Sequence, residues 1–153
     1  MVSILSGCAG YQFGAASMFH PNVRTVHVPV FESETLRRHL GERLTEAVIK
    51  ELELRGLKAV GPATADSMLH GRIVNMNKQV LGEDRNDVPR NLEAELLVTV
   101  TWTDRQGRPL MQNTFRQPAN FIPEAGQSMA TAQQQAMSRM ARQIVGRMEL
   151  SWH

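Results

Sequence analysis

From Leu92 to Thr103 the side chains alternate in character, residue by residue. Leu92, Ala94, Leu96, Val98, Val100 and Trp102 fall on one side of an extended backbone. Glu93, Glu95, Leu97, Thr99, Thr101 and Thr103 fall on the other. Successive side chains of a strand point to opposite faces, so this segment reads as a strand with one buried face. A strand of that kind needs sheet neighbours beside it and another layer over its apolar side.

Two segments can supply that layer. Between Glu34 and Arg55, Leu36, Leu40, Leu44, Ala47, Val48 and Leu52 recur at helical spacing, with charged residues opposite. Ser33 is the expected N-cap of this helix, and Gly56 its expected C′ residue. Between Ser128 and Leu150 the stripe is Met129, Ala132, Ala136, Met137, Met140, Ile144 and Met148. A methionine stripe can form an adaptable binding surface, but at this spacing it reads as core.

Three further strands are expected. Val23 to Phe31 is β-branched, with Val26, Val28 and Val30 on one face and Pro29 marking an edge or a strand end. Ser67 to Leu81 reads as a long irregular strand with a possible bulge at Gly71. A polar loop follows at 82–91. After Leu92–Thr103, the Asp104–Gly107 turn leads into a last strand, Leu110 to Phe121, with Gly107 able to take positive φ. The order β-α-β-β-β-α predicts an α+β two-layer sandwich: a four-stranded mixed sheet with both helices on one face. The helical crossover makes the first two strands parallel, and the other three form a meander. Residues 23–150 form a single domain.

The 153 residues include 42% hydrophobic and 21% charged side chains, the balance of a folded domain. The 17 basic residues are lopsided, fourteen Arg to three Lys, and the net charge of +2 does not point to nucleic acid. No stretch approaches a membrane-spanning helix. With one Cys no internal disulfide forms, and the scattered His residues (20, 27, 39, 70, 153) lack metal-ligand spacing.

Catalytic patterns are lacking too: no Gly-x-Ser-x-Gly turn, no His-Glu-x-x-His, no phosphate loop. Glu93 and Glu95 read as solvated strand residues, and His27 with His70 as structural. Asp84 to Glu95 superficially follows a calcium loop, but Pro89 stands where the sharp-turn glycine is required. No enzyme activity, cofactor or metal is expected. Lys78, Arg85 and Arg90 lie in or beside the polar loop, and Arg105, Arg108 and Arg116 on the next hairpin. Such residues can hold phosphates at a surface or serve as ordinary loop charges.

Leu5-Ser6-Gly7-Cys8 fits the bacterial lipobox. Small residues let an extended segment enter the signal peptidase cleft, and the Cys sulfur carries a diacylglycerol. The freed amine takes a further acyl chain such as palmitate, and more than one chain gives stable anchoring. Only Met1 to Leu5 precede the small residues, short of the usual apolar stretch of a signal peptide. Residues 1–22 therefore read as a truncated signal with lipobox, then a Gly/Ala-rich tether.

The Cys8-Ala-Gly10-Tyr11 start, the Val23-Arg-Thr-Val-His-Val-Pro-Val-Phe31 strand, the Ala65-Asp66-Ser-Met-Leu-His-Gly71 opening and the strand ending in Trp102 together resemble the LptE family of lipopolysaccharide-assembly lipoproteins. The resemblance covers about residues 5–149. It implies two helices against a four-stranded sheet and no catalysis. It implies lipid anchoring at the periplasmic side of the outer membrane, where Ala9 after Cys8 leaves sorting open. It further implies a plug within the outer-membrane β-barrel LptD, assistance in that barrel's assembly, and lipopolysaccharide binding through basic residues near loops. Lys78, Arg85, Arg90 and Arg116 are the candidates here. The other reading is an independent periplasmic lipoprotein that binds another protein or an envelope polymer.

Overall fold

The computed structural model describes residues 18–34, 39–83, 89–121 and 129–150, with the backbone alone at 75–83, 89–94, 119–121, 129 and 150. In chain order these form β1 (Thr25–His27), β2 (Glu32–Ser33), α1 (His39–Leu54), β3 (Lys58–Ala59), β4 (Ser67–Glu83), β5 (Pro89–Asp104), β6 (Pro109–Phe121) and α2 (Met129–Leu150). The strands make one mixed sheet in the order β3-β1-β4-β5-β6, with β2 also paired to β4. β1 and β2 run parallel to β4, while β4, β5 and β6 form an antiparallel meander. Two helices and a mixed open sheet make the α+β fold expected from the sequence.

The alternating segment is the centre of that meander. Trp102 pairs with Leu69 on β4 and Met111 on β6, and Val98 pairs with Ile73 and Phe115. All six are buried, so one sheet face is a continuous apolar surface. Leu44, Val48 and Leu52 of α1 cover it together with Met137, Met140, Ile144 and Met148 of α2, all fully buried in the same cluster. From Ala132 to Met148 the methionine stripe is core. Each such side chain contributes about 1.5–3 kcal/mol on burial. Gln143 of α2 donates through Nε2 to Gln117 Oε1 of β6 at 2.6 Å, a polar latch at the cluster's edge.

The C-terminal end of α1 follows the expected chemistry. Gly56 has φ 91°, and Leu57 N–H reaches back to Leu52 C=O at 3.0 Å, closing α1 with a Schellman turn. Gly107 has φ 83° in the β5–β6 turn. Ser33, the expected N-cap, lies in β2 paired to Ile73, and residues 35–38, which lead into α1, are outside the described residues.

The first strand also departs from the simple alternation. Between the pairs His27–Met68 and Glu32–Arg72 the chain advances five residues against four on β4. The extra residue falls in the Val28–Phe31 segment, where Pro29 has no N–H for the ladder. It breaks the expected strand into β1 and β2 and reverses its facing. Val28 and Phe31 turn inward, while Val30 is 61% exposed rather than sharing the face of Val26. The two-residue strand β3, which pairs with β1, was not expected. At 82–91, where a loop was expected, β4 continues to Glu83 and β5 begins at Pro89. The register shifts of β4 against β5 fall between Ile73 and Asn75, between Val80 and Gly82, and between Gly82 and Glu83, rather than at Gly71.

Candidate functional site

Four cations and one cysteine were singled out in the sequence. Cys8 and Arg85 lie outside the described residues. Arg90 is a strand residue near the start of β5, not a loop residue, and Lys78 stands opposite Ala94 in the β4–β5 register. Arg116 stands opposite Leu97, a rung of the other parity. The register therefore does not bring Lys78 and Arg116 into one row. Arg116 is 72% exposed, and its Nε lies 2.7 Å from Glu95 Oε1. Glu95 is thus the partner of a cation on the helix-free sheet face, and a phosphate at Arg116 would have to compete with it.

The two histidines do not form a site. His27 Nδ1 lies 3.0 Å from Val60 C=O, which fixes its ring against the β3 end. His70 is exposed on the outer sheet face. Among the described residues, no three His, Cys, Asp or Glu side chains gather as a metal would require.

The most constrained polar feature is the break between β1 and β2. Phe31 N–H donates to Thr45 Oγ1 at 2.8 Å, and Thr45 Oγ1–H donates to Gly41 C=O at 2.7 Å. The Phe31 carbonyl rests where a Cβ on Gly41 would be, and its ring rests where a Cβ on Gly71 would be. Two glycines and a helix hydroxyl thus hold one aromatic residue between α1 and β4. On the outer side of the same break, Pro29, Val30, Glu32, His70, Arg72 and Thr101 line an open groove of about 400 Å³. Arg72 is already engaged there by Glu32 at 2.8 Å and Glu34 at 3.4 Å.

At the far end of the sheet, Asp66 and Asp104 border a smaller depression with His20, Arg105 and Arg108. Their carboxyls titrate below the usual range. For Asp66 the chief cause is the Arg24 backbone N–H, assisted by the Thr25 hydroxyl and the charge of Arg105. For Asp104, burial pushes the other way, but the Arg108 backbone N–H and guanidinium outweigh it. Asp104 also accepts Gln106 N–H and so folds its own turn. Nearby, Phe19 is fully buried and meets Trp102 edge-on, with ring centroids 6.5 Å apart.

The helix layer is electrically uneven. Arg55 lies between Glu51 at 2.8 Å and Glu149 at 2.9 Å, tying the C-terminal end of α1 to that of α2. Partial burial disfavours its charge, but the Glu51 hydrogen bond and the Glu149 and Glu51 charges more than offset this and raise its pKa. On the exposed face of α1, Glu42, Arg43, Glu46, Lys50 and Glu53 mix both signs. On that of α2 the charged residues are Arg139, Arg142 and Arg147. Composition and loop position drew attention to other cations. What marks these three is visible in the sequence all the same: no acid stands three or four residues from any of them.

Comparison with known proteins places this arrangement. A minor lipoprotein from Acinetobacter baumannii superposes with a TM-score of 0.59 at 15% identity, over 84% of this chain and 94% of that one. CT253 from Chlamydia trachomatis gives 0.60 at 14% identity, over 82% and 95%. Lipoprotein GNA1162 from Neisseria meningitidis gives 0.52 at 10% identity, over 80% and 98%. At such identities the likeness is one of fold. No curated protein matches by sequence. The family model for LptE, lipopolysaccharide-assembly, matches residues 23–149, from just before β1 to within one residue of the end of α2. That match takes in the split strand, both helices and the whole meander, and the chain belongs to the LptE family of lipopolysaccharide-assembly proteins.

Proposed function

We propose that the chain is a non-enzymatic lipoprotein of the outer membrane, anchored on its periplasmic side through Cys8. In this reading it plugs the β-barrel LptD, assists the assembly of that barrel, and binds lipopolysaccharide for delivery to the cell surface. The family match across residues 23–149 carries the reading. The lipobox Leu5-Ser6-Gly7-Cys8 supports the anchor, since two or more acyl chains on one residue hold a protein stably at a bilayer. Lys78, Arg85, Arg90 and Arg116 are the proposed contacts for lipopolysaccharide phosphates. Arginine matches a phosphate with a two-pronged hydrogen-bonding fork. Of these, Arg116 is the one whose head group is described, and it trades Glu95 for a phosphate on binding.

Depletion of the protein in its host tests this reading. The expected result is less lipopolysaccharide at the cell surface and LptD that fails to mature. Normal surface lipopolysaccharide after complete depletion would favour an independent periplasmic lipoprotein instead.

A further inference from the structure

The exposed face of α2 carries a charge that nothing within the described chain neutralises. Arg139, Arg142 and Arg147 are all exposed and make none of the ion pairs that hold Arg55, Arg72, Arg108 and Arg116. A solvated helix usually places an acid three or four residues from each base, which stabilises it by a few tenths of a kcal/mol per pair. On α1 this holds: Arg43 has Glu46, and Lys50 has Glu46 and Glu53. On α2 the corresponding positions hold Gln135, Gln143, Ser138, Gly146 and apolar residues. Arg139 and Arg142 are themselves three apart, a like-charge pair that works against the helix. The one acid of α2, Glu149, is held by Arg55.

We propose that this Arg/Gln face of α2 is a docking surface for a protein wall that presents carboxylates. The rise of a helix separates Arg139 from Arg147 by about 12 Å, so several carboxylates can be met at once. Gln143, between the arginines, already gives an amide N–H to Gln117, but Gln134 and Gln135 lie exposed about one turn before Arg139. Such amides both donate and accept, which suits the amides and backbone of a protein wall better than a sheet of phosphates. Arginine is also the charged residue that protein interfaces favour. Resting on the function proposed above, the wall is the inner surface of the barrel, since barrel interiors are polar. The uncompensated charge is then neutralised by the partner rather than by α2 itself.

The test is to express the full protein with the barrel in the native envelope and recover it in detergent. Three forms are compared: the wild type, R139E/R142E/R147E, and the α1 control R43E/K50E. The triple variant is expected to retain the wild-type melting temperature within a few degrees while the recovered barrel falls at least tenfold, and the control to recover wild-type amounts. Undiminished recovery with the triple variant, beside a wild type that holds the barrel, overturns the assignment of α2 alone. A wild type that brings down no barrel overturns the proposed function as well. If the triple variant keeps the barrel but no longer sediments with phosphatidylglycerol vesicles or lipopolysaccharide, the face is a lipid surface and the assignment fails.

Discussion

The backbone N–H of Phe31 donates to the hydroxyl of Thr45, 2.8 Å away and fourteen residues later in the chain. Both residues are buried, and the hydroxyl passes its own proton to Gly41 C=O. The break in the first strand would otherwise leave a buried amide without a partner. α1 supplies one, and in doing so fixes where the helix crosses the sheet.

Thr45→Val keeps the volume of the side chain and removes both hydrogen bonds. Its expected cost is about 1–3 kcal/mol, the penalty of leaving a buried amide unsatisfied. Urea unfolding should show a lower midpoint with an unchanged slope.

Gly71→Ala places a methyl group against the Phe31 ring. Overpacking of this kind costs about 1–3 kcal/mol. Phe31→Leu in the same chain should relieve part of that cost, so the double variant is more stable than the sum of the singles predicts. A coupling energy below about 0.5 kcal/mol in the double-mutant cycle would show that the ring and the glycine do not depend on one another.

Arg55→Ala should loosen the helix layer at its C-terminal end. Its side chain is about three-quarters covered, at 27% exposure, and its guanidinium bridges two carboxylates. The expected loss is about 1 kcal/mol, the upper end for a partly screened pair. Amide exchange should quicken in the last turns of α1 and α2 and stay unchanged in β5.

Asp66 and Asp104 predict acid sensitivity. Both carboxyls lie below their ordinary value in the folded chain. The unfolded chain, with Asp near pH 3.9, binds protons more readily. Their contribution is therefore fully present above about pH 4 and is lost as pH falls through the depressed native values. D66N/D104N should be less stable than the wild type at pH 7, with a smaller further loss between pH 4 and pH 2. Parallel stability–pH curves for the two proteins would contradict this.

Much of the architecture is legible without coordinates because it rests on local periodicity. The alternation at 92–103, the leucine stripe of α1 and the methionine stripe of α2 each follow from which residues face the core. Gly56 and Gly107 follow from the φ values their turns require. What escaped depends on contacts distant in sequence. The parallel pairs of β1 and β3 are two residues long and carry no pattern of their own. Phe31 turned inward because Thr45 and Gly71, from two other elements, make a place for it. The pairing of Ser33 with Ile73 in β2 likewise joins residues forty positions apart. The candidate cations were chosen by closeness to the polar loop or, for Arg116, by place on the next hairpin, and register, not sequence distance, decides which of them share a face. The Arg/Gln face of α2 was readable in principle, since it is defined by missing acids at fixed spacings.

The central claim is that this chain works as a plug and assembly partner of an outer-membrane barrel. The most direct measurement is recovery of the full protein from detergent-solubilised outer membrane, followed by mass spectrometry of what accompanies it and of Cys8. The account predicts LptD in the same complex and acyl chains on Cys8. Recovery of the protein alone, with an unmodified cysteine, would contradict it.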